Sequence, residues 1–151
     1  LASLYELAGQ HDQAIERYRR MLTVAPNHAV ALNNLAYSLA VHYPDKVQEA
    51  IALARKAYVS ASGDPSVVDT LAWILHLSGD DAEARRLIAG ATRSAPNNAQ
   101  IQLHAAIIDA AAGAYDLAAR ELARAVEIDP QLETQPDVRA LRTKLGRPAT
   151  P

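Results

Sequence analysis

The chain has 151 residues, of which 50% are hydrophobic and 21% charged, which suits one compact domain or a short repeat array. It has 32 Ala and 18 Leu but no Cys, so it favours helix and excludes disulfides, thiolate zinc sites and cysteine nucleophiles. A net charge of −2 gives no overall attraction to nucleic acid or to an anionic membrane. Because no run of about 18 apolar residues occurs, we expect no direct membrane insertion.

Nine helices are predicted from the apolar periodicity and its boundaries. Asn27, Asp64 and Asn97 precede helical runs, where their side chains can accept hydrogen bonds from free first-turn amides. Asp80 with Glu83 three residues later has the pattern of a capping box. In chain order the predicted helices span about 1–8, 11–25, 28–42, 45–61, 65–78, 81–94, 98–112, 115–128 and 136–145.

The helix ends and the chain termini carry further signals. Gly9, Gly79 and Gly113 can adopt the left-handed conformation that ends one helix before the next begins. The chain begins at Leu1 inside a helical pattern, which predicts that it is part of a longer protein. Residues 146–151 are predicted to form a disordered tail.

Small residues, Gly and Pro recur along the chain with a period of about 34 residues. Pro96 and Pro130 are one period apart, and so are Gly79 and Gly113. Two alanine phases keep the same spacing: Ala50, Ala84 and Ala118, and Ala57, Ala91 and Ala125. A fixed period of this length is the signature of a helical repeat array.

The residues at these phases resemble the tetratricopeptide repeat (TPR), a helix–turn–helix unit of about 34 residues. The fourth repeat departs from the family pattern at Gln102 and Asp109, two positions that are usually apolar. The third repeat matches it with Val68, Leu71-Ala72, Leu75, Ala84, Ile88, Ala91 and a final Pro96. The second repeat matches with Leu32, Leu35-Ala36, Leu39, Ala50, Ala54 and Ala57, but has Ser62 in place of Pro.

The resemblance implies an all-α fold, a right-handed superhelical solenoid of stacked helix–turn–helix units with a C-terminal capping helix at 136–145. Its repeats would span about 1–28 (truncated), 29–64, 65–98 and 99–132. The chain is also similar, more weakly, to C-terminal TPR arrays of bacterial envelope proteins in exopolysaccharide-export or exosortase-associated systems. That similarity implies a bacterial source, with the periplasm or cell envelope and the cytoplasm both open as compartments.

In this family the first helix of each repeat lines a concave groove that binds ligands. We therefore expect a peptide or helix of a partner protein to bind there, with Trp73 and Tyr37 as a hot spot. The alternative, left open, is that both aromatic side chains fill the space between neighbouring first helices. The groove positions carried over to this sequence are Asn33, Asn34, Tyr37, Asp69, Thr70, Trp73, His76, Gln100, His104 and Ile107.

Nothing in the sequence predicts catalysis, a cofactor or a metal. No phosphate-binding loop or nucleophile motif occurs. No two of the five histidines lie four positions apart, as two ligands on one helix face would. The groove positions also carry no Lys or Arg that could hold a peptide's terminal carboxylate, as chaperone-binding members of the family do. A neutral, apolar or basic ligand fits these positions better.

Charged residues concentrate on the predicted second helices of the repeats. Arg85, Arg120 and Arg124 there alternate with Glu121 and other acidic residues, which predicts a solvated outer face with ion pairs at helical spacing. Alternatively, the basic residues could bind RNA. Because aromatic residues are not interleaved with them, no nucleic-acid partner is expected.

The sequence thus predicts a non-enzymatic scaffold for protein–protein interaction. The competing hypothesis is self-association into a homo-oligomer, because Leu1, Leu4 and Leu7 form an apolar end that needs cover, either from upstream repeats or from another copy of the chain.

Overall fold

The computed structural model describes residues 2–146, except for the side chains of Ser3 and Glu6, and Leu1 and residues 147–151 lie outside it. The predicted tail therefore falls outside the described residues except for Gly146, which follows the last helix directly. The α-helices of the described residues are α1 (Ala2–Leu7), α2 (His11–Val24), α3 (Ala29–His42), α4 (Val47–Ser60), α5 (Pro65–Leu77), α6 (Asp81–Ser94), α7 (Ala99–Ala111), α8 (Tyr115–Ile128) and α9 (Pro136–Leu145).

These bounds confirm the nine predicted helices, with one local difference. The segment predicted as a helix over 45–61 starts with a separate 3₁₀ turn, Pro44–Lys46, before α4 begins at Val47. A second 3₁₀ turn, Pro130–Thr134, links α8 to α9. Among the described residues, no helix is both long enough and apolar enough to cross a lipid bilayer.

Two of the three predicted N-caps were wrong by one residue. Asp64 caps α5 as predicted, and its carboxylate accepts from Ser66 N at 2.8 Å. The cap of α3 is His28, not Asn27, and its ring Nδ1 accepts from Ala31 N. The cap of α7 is Asn98, not its neighbour in the chain.

A tight turn before the helix explains this shift at α7. The amide of Asn98 donates to Ala95 O at 3.1 Å, which closes a four-residue turn with Pro96 and Asn97 in its centre. Asn97 is thereby held inside the turn, where its side chain accepts from Arg124 instead of capping the helix. The capping role passes to the residue that follows, which is the first with a side chain free to reach the first-turn amides.

Three glycines end helices in the left-handed conformation, as predicted. Gly9, Gly79 and Gly113 have φ values of +71°, +90° and +81°. An L side chain is strained at such angles, so each of these short connections between helices depends on glycine.

The first of two compact units comprises residues up to Asp80 and contains α1 to α5. Within it, α3 packs against α2, α4 and α5, and α4 also packs against α5. Leu32, Ala57 and Val67 form a buried cluster, against which Leu22 and Leu53 pack. The central position of α3 explains why so many of its residues are buried.

The second unit begins at Asp81 and contains α6 to α9. Here α7 packs against α6, α8 and α9, and α9 also contacts α8. The division lies between α5 and α6, inside the predicted repeat 65–98, so the repeat boundaries stay a prediction. The core of this unit consists of Leu103, Ala106, Ala110, Ala118, Leu122, Ala125, Leu132, Val138 and Leu141.

The alanines of the repeat period are buried throughout. Ala14, Ala50, Ala84 and Ala118 occupy one phase and are each 0% exposed. A helix can pack closely against its neighbour where its side chain is a single methyl group, because the interaxial distance depends on the side chains at the contact. These alanines therefore explain why the period is visible in the sequence.

This packing predicts different effects of one substitution at two adjacent positions of α8. Ala118→Leu should lower the free energy of unfolding by about 1–3 kcal/mol, because the core around Ala118 has no space for three further carbons. Ala119→Leu is the matched control: Ala119 is exposed, and its substitution should change stability by less than about 0.5 kcal/mol. Thermal unfolding followed by circular dichroism measures both, and equal melting temperatures would contradict the packing.

Candidate functional site

One row of side chains on α3 points away from the core of the first unit. Its members are Val30, Asn34, Tyr37 and Val41, spaced three or four positions apart so that they share one helix face. Val30, Tyr37 and Val41 are exposed, with 38% of Tyr37 accessible, and Asn34 is half-buried. We call this row and its equivalents on α5 and α7 the outer stripe.

The outer stripe continues on α5, which packs beside α3 in the same unit. Ser66, Thr70, Trp73 and Leu77 occupy the equivalent positions one repeat later. Ser66 and Leu77 are exposed, Trp73 is half-buried and Thr70 is buried. The ring centroids of His76 and Trp73 are 5.3 Å apart, so the two rings are in contact. The predicted hot-spot residues Tyr37 and Trp73 thus occupy equivalent positions on neighbouring helices.

In the second unit, the same stripe on α7 consists of Gln100, His104, Ile107 and Ala111. Ile107 is half-buried and packs against the core of this unit. His104 is only 4% exposed, and its Nε2 lies 2.8 Å from the side-chain amide nitrogen of Gln100. The ring of His104 therefore interacts with Gln100 of its own helix.

Asn33 and Asp69 lie one residue before the stripe on α3 and α5. Asn33 Nδ2 makes a long contact of 3.4 Å with Asn34 Oδ1. Its Oδ1 is buried, without a hydrogen-bond partner among residues 2–146. Asp69 is buried as well. Since a buried acceptor without a donor is costly, Asn33 Oδ1 is a destabilising feature of α3.

In each of the two units the positions of the outer stripe are uncharged. None of its eight positions on α3 and α5, and none of its four positions on α7, is Asp, Glu, Lys or Arg. The helix α3 carries none of these residues at all, and α5 and α7 carry one each, Asp69 and Asp109. A surface of aliphatic, aromatic, amide and hydroxyl groups can recognise a partner by shape and hydrogen bonding, with little contribution from charge.

The sequence analysis named part of this surface and missed five of its members. Tyr37, Asn34 and Trp73 lie on the stripe with exposed or half-buried side chains, whereas Asp69, Thr70 and His104 are buried. The missed members are all exposed: Val30, Val41, Ser66, Leu77 and Ala111. Their signal was available in the sequence, because they continue the three- and four-residue spacing on either side of the predicted members.

The charged second helices form the exposed ion pairs that the sequence predicted. Arg20 and Glu16 on α2 are 2.6 Å apart, and Arg124 and Glu127 on α8 are 2.7 Å apart. The prediction was wrong for Glu121, which it placed on the solvated face. Glu121 Oε2 is buried without a hydrogen-bond partner among the described residues.

The histidines do not gather into a metal site. The rings of His11 and His42 stack with centroids 3.5 Å apart, and His28 caps α3. Within residues 2–146, no group of three or more potential metal-binding side chains is found.

Comparison with solved structures supports the repeat fold. MamA is 16% identical in sequence, with a TM-score of 0.71 over 96% of this chain and 88% of the other. TTC0263, described as a thermophilic TPR protein of Thermus thermophilus, is 17% identical, with a TM-score of 0.77 over 96% and 78%. YrrB, described as a TPR protein with an unusual peptide-binding site, is 17% identical, with a TM-score of 0.66 over 95% and 80%.

No family model and no curated protein sequence matches the chain. At identities this low the structural likenesses define the fold alone. The chain is an all-α helical repeat with the tetratricopeptide-repeat fold, the class that the repeat period indicated.

The burial of His104 predicts that it serves stability rather than binding. His104→Ala should lower the free energy of unfolding by about 1–3 kcal/mol, because it leaves a cavity and removes the partner of Gln100. Tyr37→Ala, on the exposed stripe of α3, is the comparison and should leave the melting temperature close to that of the wild type. Thermal unfolding of both variants tests this, and a larger loss in Tyr37→Ala would contradict the placement of the two residues.

Proposed function

We propose that the chain is a non-enzymatic receptor that binds a partly apolar, neutral or basic segment of another protein on the outer stripe. The observation that carries this proposal is the neutrality of the stripe together with the accessible aromatic rings of Tyr37 and Trp73. Exposed and half-buried aromatic side chains commonly dominate binding energy at protein interfaces. Binding to preformed helices also limits the ordering cost to the ligand.

The groups on α3 and α5 indicate the chemistry of the bound segment. Asn33 Oδ1 is an acceptor that lacks a donor among the described residues, and Asp69 is the one carboxylate on these two helices. Neither helix carries Lys or Arg, so nothing there would neutralise an acidic segment or a terminal carboxylate. Aromatic faces favour cations as well as apolar groups. These features together support a segment rich in apolar residues and free of Asp and Glu.

A selection from a displayed library of random short peptides tests this proposal. Peptides enriched on the wild-type chain should be poor in Asp and Glu, and Tyr37→Ala or Trp73→Ala should weaken their binding by about tenfold or more. Their affinity should change little between low and high salt, because the stripe is uncharged. Isothermal titration of synthetic peptides with each variant provides the affinities.

The matched control is Tyr115→Ala on α8. Tyr115 is exposed to a similar extent as Tyr37 but lies on a second helix, beside Lys144. This variant should bind the peptides as the wild type does. Loss of binding in all three variants, or enrichment of acidic peptides, would contradict the proposed site. Loss of helical signal in Trp73→Ala would instead support a core role for Trp73.

Self-association is the second candidate, and the exposed leucines of α1 favour it. Leu4 is 63% and Leu7 is 85% exposed on the same short helix, and such apolar side chains are stabilised when another surface covers them. A homo-oligomer formed through α1 would bury them.

Light scattering over a range of concentrations tests this second candidate. The average mass of the wild type should rise with concentration, and the double substitution Leu4→Ser and Leu7→Ser should keep the chain monomeric. Val59→Ser on α4 is the control, because Val59 is similarly exposed at 84%. A mass that stays monomeric in the wild type, or rises equally in the double variant, would rule out self-association through α1.

A further inference from the structure

Three charged residues of the second unit occupy positions that are apolar in the two repeats before them. Asp109 on α7 is equivalent to Leu75 one repeat earlier and to Leu39 two repeats earlier. Glu121 on α8 is equivalent to Leu87 and Leu53, and Arg85 on α6 is equivalent to Ile51 and Ile15. Only in the first repeat is the phase of Glu121 charged, with Arg17. Two acids and one base therefore stand where the two preceding repeats have apolar residues.

These three side chains form one cluster between α6, α7 and α8. Arg85 Nε donates a hydrogen bond to Asp109 Oδ1. The side chain of Asp109 is only 4% exposed, whereas that of Arg85 is 46% exposed. Glu121 Oε2 is buried and has no hydrogen-bond partner among the described residues. The cluster thus brings two carboxyl groups and one guanidinium group together in a partly buried site, in which Asp109 is the most buried member.

One of these carboxyl groups retains its proton at neutral pH. Burial, followed by the negative charge of the neighbouring Asp109 carboxylate, raises the pKa of Glu121 from 4.5 to about 8. The positive charges of Arg85 and Arg120 oppose this rise in pKa. A protonated Glu121 can donate to the Asp109 carboxylate, so that one guanidinium balances one negative charge.

Other basic groups near α8 are occupied elsewhere. Lys144 on α9 donates to Ala110 O at 3.2 Å, and Arg142 pairs with Glu133 of the preceding 3₁₀ turn. Arg124 on α8 donates to a glutamate of its own helix and to an asparagine of the turn before α7, namely Glu127 and Asn97. The charged groups that act on Glu121 come from all three helices: Asp109 from α7, Arg85 from α6 and Arg120 from α8.

We propose that the Arg85–Asp109–Glu121 cluster is a proton-dependent latch that holds α6, α7 and α8 together in the second unit. At neutral pH the folded unit binds one proton that the unfolded chain does not. When this proton is released, Asp109 and Glu121 are both negative in a partly buried site, and their repulsion weakens the packing of the three helices. The latch thus makes the second unit less stable as the pH rises from mildly acidic to mildly alkaline values.

The sign of the pH dependence follows from the raised pKa of Glu121. In the unfolded chain this carboxyl ionises near its ordinary pKa of 4.5, whereas in the folded unit it ionises near pH 8. Between these values the folded state holds more protons, so its stability falls as the pH rises through this window. Well below pH 4.5 and well above pH 8, both states have the same protonation at Glu121, so its contribution no longer changes.

Urea unfolding of the whole chain between pH 5 and 9 tests the latch. For the wild type the folding equilibrium constant should fall by up to about tenfold per pH unit between pH 5 and 8. Glu121→Gln keeps a hydrogen-bond donor but cannot ionise, and Glu121→Leu restores the residue of the two preceding repeats. Both should lose this slope, while Glu127→Gln, at an exposed position of the same helix, should keep it. The proposal is overturned if Glu121→Gln retains the wild-type slope.

A second measurement decides the matter if these variants fail to fold. The carboxyl carbon of Glu121 in the wild-type chain can be followed by nuclear magnetic resonance as the pH is varied. A titration midpoint near 8 supports the latch, and a midpoint near 4.5 overturns it.

Discussion

The fold depends on alanine at fixed phases of the repeat. Where Ala50, Ala84 and Ala118 lie fully buried, only a methyl group separates one helix from the next. Such contacts set both the distance between helices and the rotation of each helix about its axis. Packing at the same phases of each repeat leaves an equivalent row of α3 and α5 least covered, with Thr70 as the one buried member of this row. The outer stripe therefore repeats with the period of the alanine contacts.

The same packing accounts for the separation of charge between the two kinds of helix. A first helix such as α3 contacts three neighbouring α-helices, so few of its positions are exposed and a charged side chain would be desolvated at considerable cost. A second helix such as α2 keeps a broad exposed face that carries ion pairs, including Arg20 with Glu16 and Arg19 with Glu49. The neutrality of the stripe thus has a structural cause, and a partner that binds there must match it.

The sequence predicted those features that depend on local geometry. The helix-ending glycines and the Asp64 cap follow from backbone conformation and first-turn amides, and the structure agrees with both. The cap at Asn97 was misplaced because the preceding turn holds this residue in its centre.

The burial of Thr70 and His104 could not be predicted, since burial depends on neighbours that single-helix periodicity does not reveal. Glu121 was misjudged for a different reason: its charge and its arginine neighbours are typical of a solvated face, whereas Leu53 and Leu87 occupy its position in the two preceding repeats. In a stacked array the same position of each repeat has similar neighbours. The residue types at that position in several repeats are therefore better evidence of burial than the residue type in one repeat.

The helix α7 shows two ways in which a polar residue is accommodated at an apolar phase. Gln102 is satisfied locally, because its amide donates to Pro96 O at 3.1 Å. Asp109 is paired instead with Arg85 of α6, and Glu121 of α8 is the third member of this cluster. Replacing Asp109 alone would leave two polar groups unbalanced, whereas replacing Gln102 would affect one hydrogen bond. Because each repeat contacts only its neighbours, the effect of exchanging three apolar residues for three polar ones can be confined to the contact between two neighbouring repeats. The outer stripe on α3 and α5, in the other compact unit, keeps its neutral character independently of that exchange.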